Sequence, residues 1–306
     1  MDYVLKDKIR IGISACCFGA RTRYNHRGWD YVENLGRQQW DYEWTPVCPE
    51  VIAGLGVPRD PVRMVSGSGD DLWQGEAKMK NRHGRNVTGP VKDACREAVV
   101  TLQRAGVDAF AFMEGSPTCG VYRTTLKEKR LGRPPGAFGS LLLKEDWFLI
   151  PAINLQSPWK WWDWSRRLDA FVWLKRQEIS GKADIYDIWH ALKFLCQEAD
   201  EPEARRIGTD VAAMPKKLNA EFIAEWRSRV LRLLRRPSTL PRISNALFKH
   251  YKHYRRTFGL SLEENRPPRN DQSRHVFVEE VQKLERQAFD QGYQFAGRPV
   301  IYRPSR

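Results

Sequence analysis

Ile9-Arg10-Ile11-Gly12-Ile13-Ser14-Ala15-Cys16 is the stretch on which the fold turns. Apolar residues alternate from Ile9 to Ile13, the period-two pattern of a strand with a buried face, and the strand runs out at a cysteine. Residues 42–47 form a second, weaker strand candidate that ends at Cys48. Residues 92–105 read as an amphipathic helix, with Val99, Val100 and Leu102 set among charges and Gly106 as its C-terminal stop. A third apolar strand, 107–113, leads into a loop at 114–120, and a fourth covers 148–153. Strand, helix and strand in this order predict an α/β layer with a mostly parallel sheet. The C-terminal ends of parallel strands share one edge, where ligands bind. Cys16, Cys48 and Cys119 each follow a strand, so the pattern places three thiols in one crevice.

The chain has 306 residues, enough for one large domain or two ordinary ones. No apolar run approaches the roughly 18 to 20 residues of a membrane span. The first ten residues are charged throughout, without the pattern of a signal peptide. The expectation is therefore a cytoplasmic protein with no membrane partner. The six cysteines are then reduced thiols, and the absence of a C-x-x-C pair excludes zinc ribbons and thioredoxin-like motifs. A phosphate-binding loop is absent too, because Ser66-Gly67-Ser68-Gly69 lacks the lysine and helix that one requires.

Charge is unevenly spread. The net charge is +14; residues 1–157 hold 22 basic and 18 acidic residues, and the remainder holds 29 and 19. Ser157-Pro158, followed by Trp159, Trp161, Trp162 and Trp164, marks a change of style and sets the domain boundary, giving 1–157 and 158–306. The second part reads as mainly α-helical, with helices at 164–179, 185–199, 219–236, 244–258 and 276–291. The polar segment 67–90 reads as an exposed loop or an insertion before the helix. A basic half favours a polyanionic partner, and residues 249–256 interleave cations with Tyr251 and Tyr254, which suits phosphate contact with base stacking. Arg227, Arg229, Arg232, Arg235 and Arg236 add a basic helix. The alternative is an amphipathic helix whose tyrosines pack inward. For the tryptophans the expectation is packing between domains, ahead of base stacking. His250 and His253, three apart without a third ligand, read as a basic helix face.

Ser14-Ala15-Cys16, Cys48-Pro49-Glu50-Val51 and Ser116-Pro117-Thr118-Cys119-Gly120 are long, ordered motifs. Between and around them stand Arg23-Tyr24-Asn25, Gly54-Leu55, Pro58-Arg59, Asn86-Val87-Thr88 and residues 136–143. In these features residues 8–157 resemble the thiouracil desulfidase family. The resemblance implies a [4Fe–4S] cluster held by Cys16, Cys48 and Cys119. Thiolates suit such clusters, and three protein ligands leave one iron open as a Lewis acid. It further implies a non-redox, hydrolytic desulfidase: water adds to a thiolated pyrimidine (thiouracil, a thiouridine nucleotide or thiouridine in tRNA) and the open iron accepts sulfide. The competing function is a non-catalytic RNA-binding or redox-sensing iron–sulfur protein, for which four protein ligands would be expected.

The resemblance also assigns roles. Glu50 is the expected general acid or base, or else a carboxylate ordering the Cys48 loop. Ser116 binds substrate or orients the water, or else forms the turn before Pro117. Arg23, Tyr24 and Asn25 are the expected substrate-binding residues. Arg59 and Arg63 would hold a phosphate or make surface ion pairs. Two residues depart from the family pattern: Cys17, read as packing, and Glu114, which would alter substrate choice or cap its loop. Cys95 and Cys196 read as core.

Overall fold

The computed structural model describes residues 2–124, 133–215 and 218–304. In chain order the strands are β1 (Val4–Leu5), β2 (Ile9–Ser14), β3 (Tyr42–Val47), β4 (Val62–Val65), β5 (Lys78–Asn81), β6 (Ala109–Phe112), β7 (Phe148–Pro151) and β8 (Ile301–Tyr302). The helices are α1 (Pro49–Ile52), α2 (Gly69–Gln74), α3 (Thr88–Arg104), α4 (Ala137–Lys144), α5 (Pro158–Arg176), α6 (Lys182–Ala199), α7 (Glu201–Ala212), α8 (Ala220–Arg235), α9 (Leu240–Thr257) and α10 (Asp271–Asp290). They form two compact units, Lys8–Ser157 and Pro158–Arg306, with Met1–Asp7 falling in the second.

The first unit is built on a four-stranded parallel sheet in the order β3-β2-β6-β7. Strand β2 is central and buried except at Arg10. Gly12 stands where a Cβ would meet the Phe110 ring at 2.6 Å and the Leu102 side chain at 2.7 Å, so only glycine lets α3 and β6 close on the strand. Helix α3 turns Val91, Ala94, Cys95, Ala98 and Leu102 inward at helical spacing, and Gly106, at φ +63°, ends it. Pro46 and Pro151 lie on the edge strands β3 and β7, where a missing N–H costs no ladder bond. Strands β6 and β7 are shorter than their apolar runs. Beyond Phe112 the Met113 N–H donates to Ser14 Oγ, and Ala152–Gln156 coils into a 3-10 turn.

The segment expected as an exposed loop, 67–90, is instead structured. The β4–β5 hairpin flanks α2, whose start is a capping box. Asp71 N–H donates to Ser68 Oγ (3.3 Å) and Ser68 N–H donates to Asp71 Oδ2 (2.6 Å). Leu72, Ala77 and Met79 are buried in the same core as Phe110 and Phe138.

In the second unit α5 is buried from Trp159 to Leu174, with Lys160 the one residue outside that set. Trp159 and Trp162 pack with Ile243, Leu247, Tyr251, Val278 and Val281, so these rings form part of the unit's own core. Buried charge on α5 is neutralised internally. Asp163 accepts from Arg166 and Arg167, both at 2.7 Å; Arg166 also donates to Glu198 (2.5 Å), and Arg298 pairs with Asp169 and Glu285. An isolated buried charge would be prohibitive, so this network is a condition of the helix being buried at all. Among the described residues no helix is long and apolar enough to cross a membrane.

Two sequence expectations change here. His250 is fully buried, not on a solvated face: Nδ1 bonds Glu285 Oε1 at 2.9 Å and the ring meets Trp162 and Phe295 edge-on. Tyr251 and Tyr254 are buried too, with Tyr251 Oη accepting the Glu263 and Glu264 N–H groups. The inward-packing alternative is the one the structure adopts for residues 249–256. The arginines on and after α8 are largely paired: Arg229 with Glu203 and Asp210, Arg236 with Asp200, and Arg227 with the Gln177 carbonyl. Helix α7, which follows Asp200 as N-cap and supplies two of these partners, was not foreseen.

Burial pushes the His250 pKa below its ordinary value, against the opposing pull of Glu285. The unfolded chain then binds more protons near pH 6.5 than the folded one, so stability is present above that pH and is lost as pH falls through it. Thermal melting should accordingly fall between about pH 7 and 5.5, and His250→Gln should flatten that slope. An unchanged slope would place the titration elsewhere.

Candidate functional site

Parallel pairing brings Ser14 opposite Val47 and Ile13 opposite Ala111. The C-terminal ends of β3, β2 and β6 thus lie side by side, and each chain segment leaves the sheet at the same edge. Cys16 follows in a 3-10 turn after β2, Cys48 is the N-cap of α1, and Cys119 lies in the loop after β6. All three line one cleft with a cavity volume of about 110 Å³, together with Glu50, Ser116 and Arg23. Tyr24 also lines it, whereas Asn25 is exposed and is not part of the lining.

The thiols feel one another. Burial first, then the charges of Cys48 and Cys16, push the Cys119 pKa well above the ordinary thiol range. Burial likewise raises Cys48. Cys16 moves the other way, lowered mainly by a hydrogen bond from the neighbouring Cys17 thiol. Cys17 itself is completely buried, with Sγ 3.5 Å from Met113 Sδ. Cys95 and Cys196 are core residues.

The Cys119 loop is held by its own polar groups. Ser116 Oγ accepts the Thr118 N–H (3.2 Å) and the Cys119 N–H (3.0 Å), so Ser116 forms the turn while its hydroxyl proton is left to donate. Glu114 accepts from the Tyr122 N–H (3.1 Å) and the Arg123 N–H (3.0 Å) and closes the loop at its base. Of the two readings for Glu114, this is the capping one. Phe138 and Gly139 N–H groups, in the first turn of α4, donate to the Thr118 carbonyl.

Glu50 does not order its loop through backbone N–H groups. Its Oε2 accepts from Arg59, Nε at 2.8 Å and Nη2 closer still, and its Oε1 accepts from Thr118 Oγ1 at 2.6 Å. Arg59 Nη1 donates to the Thr22 carbonyl (2.8 Å) and the Gly56 carbonyl (3.1 Å). With its side chain 5% exposed, Arg59 is an internal brace and not the phosphate clamp the sequence suggested. Arg63 stays exposed on β4. Thr118 is the residue that sequence reasoning passed over, its only signal being a hydroxyl beside Cys119. Arg23 stacks over Trp29 at 4.5 Å and near Tyr24 at 5.7 Å, which holds a cation at the cleft wall without an acidic partner among the described ion pairs.

A parallel α/β unit with three thiols, a carboxylate, a hydroxyl and an arginine on its C-terminal edge defines a thiol-ligated or thiol-reactive site. Residues 11–152, just under half of the chain, match the family model described as 2-thiouracil desulfurase, which supports that family for the N-terminal half. The chain is 27% identical over 124 residues to the uncharacterized protein YbbK of Bacillus subtilis (strain 168), spanning 39% of this chain and 80% of that one. A solved structure, the [4Fe-4S]-dependent thiouracil desulfidase TudS, is 26% identical, with a TM-score of 0.38, covering 49% of this chain and 93% of that one.

The loop depends on glycine where backbones cross. A Cβ at Gly139 would overlap the Gly120 carbonyl, and one at Gly136 would come within 2.6 Å of the Pro117 and Thr118 carbonyls. Gly139→Ala should therefore destabilise the first unit by about 1–3 kcal/mol, read by urea denaturation. Gly89→Ala, where nothing lies within 4 Å, is the control and should leave the midpoint near that of the parent.

Proposed function

We propose that the first unit is a hydrolytic desulfidase acting on a thiolated pyrimidine, with a [4Fe–4S] cluster held by Cys16, Cys48 and Cys119. The observation that carries it is the meeting of those thiols, from three separate segments, in one cleft with Glu50, Ser116 and Arg23. The donor set fits the group. Among the described residues no three His, Cys, Asp or Glu side chains are spaced for a single metal ion. A cluster is several atoms wide, takes its protein ligands at separate irons, and prefers thiolates. Thiols whose pKa is raised by burial and by one another's charge are relieved by a cationic core between them.

Bound there, the cluster supplies a thiophilic, Lewis-acidic iron for the substrate sulfur. The chain's own groups do the rest. Glu50 moves a proton between the attacking water and the ring nitrogen. Ser116 Oγ, which already accepts two backbone N–H groups, donates its one proton into the cleft, to the substrate or to the water. Arg23, beside the Trp29 and Tyr24 rings, offers a positive charge to an anionic substrate or to departing sulfide. One water is consumed, C=S becomes C=O, sulfide leaves, and no net electron transfer occurs. The substrate carried forward is the free base or a nucleotide, because Tyr251 and Tyr254, the rings that would have stacked on RNA bases, are internal.

Anaerobically purified protein should contain about four irons and bleach the thiocarbonyl absorbance of thiouracil or a thiouridine nucleotide. Cys48→Ala should lose both iron and activity. Glu50→Gln should keep the iron and lower kcat by about 10²- to 10⁴-fold. Iron without turnover on any thiolated pyrimidine would overturn the enzymatic reading, and iron retained by Cys48→Ala would overturn the ligand assignment.

A further inference from the structure

The two oxygens of Glu50 are not equivalent. Oε2 takes two N–H donors from Arg59, which fills its lone pairs. Oε1 takes one donor, the Thr118 hydroxyl, and keeps one lone pair open. The donors come from different walls of the cleft. Arg59 grips the Thr22 and Gly56 carbonyls with Nη1, and its backbone N–H donates to the Tyr24 carbonyl, so it ties the Arg23 loop to α1. Thr118 is fully buried between Ser116 and Cys119, and its carbonyl is fixed by the first turn of α4. One carboxylate therefore joins the segments that carry Cys16, Cys48 and Cys119.

We infer that Thr118 and Arg59 are positioning residues that make Oε1 of Glu50 the oxygen that handles the proton, Arg59 by occupying Oε2 and Thr118 by setting the direction of the remaining lone pair. This rests on the desulfidase reading of the same cleft and adds to it a residue and an atom. Threonine is the suitable donor here. It is uncharged, so it adds no charge beside the thiols, and its single hydroxyl proton is already directed at Oε1. That leaves Thr118 Oγ1 as an acceptor only.

The test compares Thr118→Val, which keeps the shape and removes the hydroxyl, with Thr118→Ser, which keeps the hydroxyl. Iron content, melting temperature, kcat and KM are measured for each against the parent protein. Turnover by the parent tests the desulfidase reading alone; the ratio between the two variants tests the positioning role. The expected result is full iron in both, a kcat about 10- to 100-fold lower in Thr118→Val with KM near the parent's, and kcat restored in Thr118→Ser. In a Glu50→Gln background Thr118→Val should have no further effect, because the hydroxyl acts through that carboxylate. The inference fails if Thr118→Val matches the parent, if both variants lose activity equally, if iron falls with kcat, or if the two substitutions multiply.

Discussion

Every chemical group in the first unit is placed by the parallel pairing of β2 with β3 on one side and β6 on the other. Backbone hydrogen bonds fix strand order and register, and register fixes which residue leaves the sheet first. Ser14 beside Val47 means that Cys16 and Cys48 emerge within one turn of the same edge. A one-residue slip of β3 would turn its pattern over, sending Val47 out of the core and Cys48 away from Cys16. Gly12 belongs to the same constraint, since any side chain there would separate the helix and strand that back the edge. The site is thus a consequence of sheet geometry before it is a matter of side-chain chemistry.

A second layer of polar contacts converts that edge into a defined cleft. Loops beyond a sheet are free to move unless their backbone groups are satisfied. Here Glu114 closes the base of the Cys119 loop, Ser116 holds its turn, and α4 grips the Thr118 carbonyl. Glu50 and Arg59 then bind the loops to one another. Buried pairs of this kind contribute little net stability, because desolvation offsets the attraction, but breaking one leaves an uncompensated charge. Their value lies in geometry. A carboxylate anchored at both oxygens presents one lone pair in one direction, a property that a solvated carboxylate lacks.

What the sequence made legible follows from range. Alternation in Ile9–Ser14, the apolar runs at Phe110 and Leu149 and the stop at Gly106 are local signals, and the sheet they predict forms. The gathering of the cysteines followed from topology alone, without any side-chain contact. Contacts between residues far apart in sequence were closed to inspection. Thr118 lies 68 residues from Glu50, and the braces on Arg59 reach back 37 residues to Thr22. The segment 67–90 misled because its helix is announced by a capping box of Ser68 and Asp71 in polar company, while Leu72, Ala77 and Met79 are spaced too irregularly to read as a face. In the second unit cations and aromatics alternate along 249–256 in a way that fits both an RNA surface and a buried face. Helix α10 and the chain near Phe295 decide between them.

The second unit keeps its charge in a form that composition could not disclose. A net positive half suggested a polyanion, yet much of its arginine content is committed inward. Arg166 and Arg167 bind Asp163, Arg298 binds Glu285, and Arg255 binds Glu263 and Glu280. Arginine suits this use: its planar fork meets two acceptors at once and remains protonated when buried, where lysine would surrender its proton. Each such pair is already neutral in the net count, so the excess of 29 basic over 19 acidic residues rests on the other cations, and the paired arginines serve the interior. The same reasoning applies in reverse at the cleft. There a single arginine, Arg23, is held by aromatic faces and opposed by no acid among the described ion pairs, and its charge adds to the Cys17 hydrogen bond that does most to lower Cys16. Position decides what a charge does: Arg23 stands beside the thiols of the cleft, while the paired arginines of the second unit hold its buried helix in place.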